Sequence, residues 1–169
     1  MMEIWKFIEN DDEKLNIRKF VALNEMNLGI NHKRNHDLEG TVYLLEIAYR
    51  ATQKALKELE NCFKSYGDGI IPNDETSKCL HNLAVIEWKL VNNGHMDYNA
   101  REKMKQSALN DLNQAIHMKE RLYEENTAHP SVEKSQYLYD VIIGNKKDDL
   151  EPELEAQLSF SSIEMLGGC

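Results

Sequence analysis

The sequence predicts an all-α fold built of stacked antiparallel helical hairpins. Glycine and proline are scarce, at 8 and 3 of 169 residues, and residue types that favour helix are abundant. Apolar residues recur every three to four positions through several long segments, which is the period of an amphipathic helix. The segment 76–91 is apolar almost all round, which is typical of a helix buried between neighbours. We therefore expect a helical core organised around this segment.

The first predicted hairpin covers about residues 12–66. Apolar residues at helical spacing predict its first helix over 16–28, and Gly29 is a favourable residue for ending it. The polar segment 30–37 is then expected to be a loop. A long second helix follows over about 38–65, until a run of glycine, asparagine, aspartate and proline residues interrupts the pattern.

The second predicted hairpin covers about residues 75–126. Its first helix is the apolar segment 76–91, and its second helix spans about 98–125 with methionine, alanine and leucine residues on one face. The His-Pro pair at 129–130 ends this hairpin, because proline disfavours helix in the residue before it.

A shorter capping helix over about 131–143 completes the predicted helical domain, which covers residues 1–144. Ser131 is the expected N-cap of that helix. The remaining segment, 145–169, is acidic, and we expect it to be mostly a flexible tail. Its apolar residues could also dock on the domain as a short amphipathic segment, namely Leu150, Leu154, Leu158 and Phe160.

The two hairpins are similar to each other at an offset of about 60 residues. In that alignment Leu23 meets Leu83, and Ala48 meets Ala108. Small residues such as alanine let a neighbouring helix approach closely. Repeated hairpins bury their apolar faces by stacking, so the sequence predicts a stack of two hairpins with a capping helix.

The second hairpin resembles tetratricopeptide (TPR) repeats. The residues that carry this resemblance are Asn82, Leu83, Ala84, Ala108, Leu112, Ala115, His129 and Pro130. A closer resemblance is to the KIF-binding protein family, whose first TPR helix is similar to VALNEMNLGINH at 21–32 and, in part, to LAVIEW at 83–88. This resemblance covers about residues 15–140. Both hairpins here exceed the ~34 residues of the usual repeat. The resemblance therefore implies a TPR-like α-solenoid with unusually long helices.

Members of this family are TPR-like α-solenoids that bind kinesin motor domains and block their attachment to microtubules. The resemblance implies a non-enzymatic scaffold or adaptor with a protein partner such as a kinesin motor domain, and a chain that corresponds to the N-terminal part of a longer solenoid. No motor-contacting residue is carried across, because none of the matched positions is a contact motif. Candidate partner-binding residues, which could instead serve core packing, are His81, Trp88, Tyr98, Tyr123 and Tyr137.

The charge and the apolar content limit the classes of partner. A net charge of −9 argues against nucleic acid and against an anionic membrane surface, because both need a basic face. No segment approaches the ~20 apolar residues of a membrane span, and the N-terminus does not have the pattern of a signal peptide. The three cysteines form no framework or ligand cluster and suggest free thiols. We therefore expect a reducing, cytoplasmic location.

The sequence contains no complete catalytic motif, since neither a phosphate-binding loop nor a nucleophile elbow occurs. We therefore expect no enzymatic activity, no cofactor and no metal. Two alternatives stay open. His32 and His36, together with Asp37, have a spacing that could bind a metal, which would make the chain a metal-binding or enzymatic helical bundle. An apolar end of the stack could also cause self-association.

Overall fold

The structure, a computed structural model, describes residues 11–64, 69–93, 96–124, 128–147 and 154–155. These residues form five helices and no strand; in chain order the helices are α1 (Asp11–Glu39), α2 (Val42–Cys62), α3 (Asp74–Asn92), α4 (Tyr98–Leu122) and α5 (Pro130–Ile142). The prediction of an all-α fold is confirmed. None of these described helices is long and apolar enough to cross a membrane.

The loop expected at 30–37 is wrong, because α1 continues through the whole segment. Gly29 does not end the helix. It lies where α1 and α2 approach each other closely, since a Cβ atom at this position would be 2.2 Å from Thr52 Oγ1. Ile30 is 4% exposed and belongs to the core on the same face of α1. Packing against α2 therefore keeps a polar segment helical in spite of its composition.

The turn between α1 and α2 lies at Gly40 and Thr41. Gly40 has a φ of +69°, a conformation that glycine adopts without strain. As a consequence, α2 begins at Val42 rather than near residue 38, and it ends at Cys62.

The second hairpin, α3 and α4, has bounds close to those that the sequence predicts. Asn73 caps α3 by accepting from the backbone N–H of Thr76 at 2.7 Å, and Asp97 caps α4 in the same way. The sequence predicted Ser131 as the N-cap of α5, and this prediction is wrong. His129 is the N-cap and Pro130 is the first helical residue, where its fixed φ is favourable and its missing N–H costs nothing.

The centre of the fold is α3, which contacts each of the other four described helices. It is buried along nearly its whole length, so its all-round apolar sequence is explained by neighbours on every side. Residues such as Cys79 pack between α1 and α2, and residues such as Val85 pack between α4 and α5. Buried alanines on the facing helices, including Ala48 and Ala108, allow this close packing.

Candidate binding site for an extended segment

A buried polar cluster lies where α3, α4 and α5 meet. Its centre is Lys119, on the last turn of α4, whose side chain has no exposed surface. Its ammonium donates to three oxygens: the Ser131 carbonyl at 3.0 Å, Ser135 Oγ at 2.8 Å and Glu155 Oε1 at 2.7 Å. A buried charge is costly unless it is paired and hydrogen-bonded. All three donors of this ammonium are satisfied, and Glu155 supplies the opposite charge.

The α3 side of the cluster is formed by His81, which is 1% exposed. Its Nδ1 lies 2.9 Å from Ser135 Oγ. Because the Lys119 ammonium can only donate, Ser135 accepts from it and keeps its own hydroxyl proton for a second bond. The arrangement favours the imidazole tautomer in which Nδ1 accepts that proton, so α3, α4 and α5 are linked through one serine.

Asn82, the neighbour of His81 on α3, contacts the backbone of Glu155. The Glu155 N–H donates to Asn82 Oδ1 at 2.8 Å, and Asn82 Nδ2 donates to the Glu155 carbonyl at a longer 3.5 Å. A side-chain amide can satisfy both backbone groups of one residue, whatever side chain that residue carries. Asn82 therefore holds a chain segment that belongs to none of the described helices.

The segment held in this way is Leu154–Glu155. Leu154 is half-buried and packs against two parts of the core, one around α1 and α2 and the other around α4 and α5. Glu155 is 5% exposed, and its Oε1 also accepts from Ser131 Oγ at 2.6 Å. The tail expected over 145–169 otherwise falls largely outside the described residues. The site thus combines an apolar contact, a backbone contact and a carboxylate contact.

Burial controls the electrostatics of Lys119. Desolvation lowers the pKa of its ammonium, and the charge and hydrogen bond of Glu155 oppose that change most strongly. Asp74 also raises the pKa, whereas Lys78 lowers it. Without the Glu155 carboxylate this cluster would hold a buried cation that lacks its closest counter-charge, so an anionic group at this position stabilises it.

The five residues expected to bind a partner do not form one groove. Tyr98 is the first residue of α4 and is 76% exposed, whereas Tyr123 caps the other end of the same helix. A helix of 25 residues is about 37 Å long, so these two tyrosines cannot contact one short ligand. Trp88 is half-buried and packs against the core between α4 and α5.

Two of the five residues lie close to the buried cluster. His81 is part of it, as described above. Tyr123 stacks on His129 with ring centroids 3.6 Å apart and donates to Asp74 Oδ1 at 3.1 Å. Tyr137, on α5, instead donates to the Lys147 carbonyl at 3.2 Å. Only His81 therefore belongs to the cluster that holds the segment.

Four residues that build the site are not among the binding residues predicted from the sequence, namely Asn82, Lys119, Ser135 and Glu155. One signal was present in the sequence. Leu112, Ile116 and Lys119 follow helical spacing on one face of α4, and all three are buried. A lysine on an otherwise apolar face indicates a buried partner for its charge.

The three residues of the possible metal site lie on α1, where His32 Nδ1 is buried without a hydrogen-bond partner among the described residues. His36 is buried with Nδ1 3.0 Å from the Thr41 carbonyl oxygen. Asp37 forms an ion pair with Lys33 at 2.6 Å. Within the part of the chain that the structure describes, no group of three or more His, Cys, Asp or Glu residues is arranged to hold a metal ion.

A second buried polar group lies between α3 and α4. Glu87 has no exposed surface, and neither carboxyl oxygen has hydrogen-bonding geometry with a described residue. Desolvation first, and then the charge of Asp111, raise the pKa of Glu87 to about 8, while Ser107 opposes the change. The pKa of Asp111 is also raised, first by desolvation. The two carboxyls therefore titrate as a coupled pair, and burial favours the protonated form of each.

A surface groove of about 380 Å³ lies between α2 and α4, beside the end of α3. Its lining includes Tyr49, Leu90, Met96 and Met104. Burial raises the pKa of Tyr49, and the negative charges of Glu87 and Asp111 add to that change. This groove holds no described segment of the chain, in contrast to the cluster around Lys119.

No protein-family model matches this chain, and neither a curated protein nor a solved structure does.

Proposed function

We propose that the protein is a non-enzymatic, TPR-like scaffold or adaptor that binds a protein partner through an extended segment. The observation that carries this proposal is the double contact with Glu155, whose backbone pairs with Asn82 while its carboxylate pairs with Lys119. In recognition of extended peptides, hydrogen bonds to the backbone contribute affinity and contacts with individual side chains contribute specificity.

The arrangement of the helices supports the TPR-like part of the proposal. The hairpins α1–α2 and α3–α4 follow each other along the chain, and α2 packs on α3 between them. α5 packs on α4 and takes the position of a capping helix. In such a stack each hairpin covers an apolar face of its neighbour.

The resemblance to the KIF-binding protein family favours a kinesin motor domain as the partner. The test uses the full chain as bait in an affinity purification, with kinesin motors scored first, followed by titration of a purified kinesin motor domain. The matched baits are Asn82→Ala, which removes the contact with the Glu155 backbone, and Asn113→Ala, an exposed asparagine on α4. Circular dichroism of each variant establishes that it is folded.

We expect partners that the wild-type and Asn113→Ala chains retain and that the Asn82→Ala chain loses. If all three baits retain the same proteins, the site does not bind the partner and the proposal fails. If a partner is retained specifically but a purified motor domain does not bind, the kinesin assignment fails and the scaffold function stands.

Self-association is the second candidate function, and exposed apolar side chains favour it. Leu38 is 86% exposed at the end of α1, and Tyr43 is 63% exposed at the start of α2. Tyr98, at the start of α4, is 76% exposed. The turn after α1, the end of α3 and the start of α4 lie at the same end of the bundle. Light scattering over a concentration series tests this candidate, and a constant monomer mass would exclude it.

A further inference from the structure

We propose that the ligand of the Lys119 site is an acidic segment in which a leucine precedes a glutamate, and that Leu154–Glu155 is an internal occupant which such a segment of a partner displaces. This inference rests on the proposed function, because it names the ligand class and the regulation of the same site.

The contacts of Leu154–Glu155 are those of a bound peptide. Leu154 supplies apolar contact with the core, and Asn82 pairs with the backbone of the next residue. The Glu155 carboxylate then reaches Lys119 and Ser131. None of these contacts uses a feature specific to this chain segment beyond the two side chains, so any extended Leu-Glu pair can reproduce them.

The charge of the site selects the glutamate. Lys119 is fully buried, and its other two partners, the Ser131 carbonyl and Ser135 Oγ, are neutral. Since a buried ammonium is strongly destabilised without an opposite charge, a ligand with a carboxylate at this position is preferred over its amide analogue. The residues directly before the internal segment include two further glutamates, Glu151 and Glu153, in the sequence EPELEAQ at 151–157.

Within the described part of the chain, only one oxygen of the Glu155 carboxyl accepts hydrogen bonds, namely Oε1. Glu155 Oε2 is buried without a hydrogen-bond partner among the described residues. An unsatisfied buried oxygen lowers the affinity of the segment that carries it. A partner segment that brings a hydrogen-bond donor to this oxygen would therefore bind the site more tightly than the internal segment does.

The covalent link between α5 and Leu154 determines how strongly the internal segment weakens the binding of an external peptide. Leu154 follows the end of α5 by twelve residues along the sequence. A tether of this length gives an effective concentration on the order of 1 mM. If the isolated segment has a dissociation constant of about 0.1 mM, the internal occupant weakens the binding of an external segment by about tenfold.

The test measures binding of a fluorescein-labelled peptide, EPELEAQ, to the full chain by fluorescence anisotropy. The chains compared are wild type, the double variant Leu154→Ala/Glu155→Gln, and Glu102→Gln as a control at an exposed glutamate of α4. In the control peptide, EPELQAQ, glutamine replaces the glutamate that follows the leucine and corresponds to Glu155. We expect the double variant to bind EPELEAQ about tenfold more tightly than the wild-type and Glu102→Gln chains, and to bind EPELQAQ much more weakly.

A second measurement uses the wild-type chain alone, so it does not depend on the folding of a variant. Excess unlabelled EPELEAQ should accelerate hydrogen–deuterium exchange at the Glu155 amide, whose bond to Asn82 is lost when the internal segment leaves. Exchange in the middle of α3 should stay slow. An unchanged rate at Glu155 while the peptide binds would overturn the displacement.

The remaining outcomes separate the two proposals. Equal affinities of the wild-type and double-variant chains for EPELEAQ mean that Leu154–Glu155 does not occupy the peptide site. That result overturns this inference and leaves the scaffold function intact. Absence of binding to every chain overturns the ligand class, and the affinity purification with Asn82→Ala then decides the proposed function independently.

Discussion

Replacing Glu87 by glutamine should stabilise the protein at alkaline pH, although it removes a charged group from the centre of the fold. Glu87 lies on α3 with no exposed surface, and both of its oxygens lack a hydrogen-bond partner among the described residues. Desolvation first, and then the nearby charge of Asp111, raise its pKa from 4.5 to about 8. The folded state therefore prefers the protonated acid.

The direction of the pH dependence follows from proton binding. Between pH 4.5 and about 8 the folded chain holds a proton on Glu87 that the unfolded chain has already released. Stability consequently falls as the pH rises through this window. A pKa change of this size corresponds to on the order of 5 kcal/mol at its upper limit. Asp111 adds no separate amount, because the two carboxyls titrate as a pair.

The amide of Glu87→Gln is neutral at every pH and has nearly the same shape as the protonated acid. We expect the variant to match the wild type at pH 5 and to exceed its free energy of unfolding by about 3 kcal/mol at pH 8.5. Urea unfolding followed by circular dichroism at both values measures this difference. The control is Glu102→Gln at an exposed position, which should change neither value. A wild-type stability that does not fall between pH 5 and 8.5 would refute the reasoning.

Three further predictions concern the core. Leu83→Asp, at a 3% exposed position on α3, should abolish cooperative thermal unfolding in circular dichroism, and an unchanged melting temperature would contradict the central place of α3. Gly29→Ala should lower the free energy of unfolding by about 1–3 kcal/mol, because the new Cβ would clash with Thr52 Oγ1. Adding Thr52→Ala should recover part of this loss. An unchanged free energy of unfolding in Gly29→Ala would disprove the close approach of the two helices. A thiol reagent should modify Cys62 well before Cys79, which is buried, has a raised pKa because of desolvation, and donates to the Thr52 carbonyl at 3.6 Å. Peptide mapping by mass spectrometry measures the two rates, and equal rates in the folded protein would contradict the burial of Cys79.

The elements that sequence analysis predicted correctly have strong local signals. The segment 76–91 is apolar on every side, and α3 follows it closely, from Asp74 to Asn92. The second helix of that hairpin was expected over 98–125 and spans Tyr98–Leu122. In both cases the hydrophobic period extends over many turns and the ends carry capping residues, so the local pattern and the packing agree.

The prediction failed where the local pattern and the packing disagree. Gly29 and the polar residues after it are typical of a helix end, yet α1 continues to Glu39. The reason lies on α2, where Thr52 leaves room for a glycine and for no larger residue. Because the packing of Gly29 depends on Thr52 of the neighbouring helix, the residues of α1 alone do not indicate that the helix continues.

The sequence by itself determined that the chain is helical, which helix is buried at its centre, and where the second hairpin begins and ends. Only the tertiary structure decided the site, because Asn82 and Lys119 meet Glu155 across separations of 73 and 36 residues. The physical reason is the range of the two kinds of interaction. Helix formation and the burial of one face depend on residues three or four positions apart, whereas the pairing of a buried charge depends on which helices and segments the fold brings together.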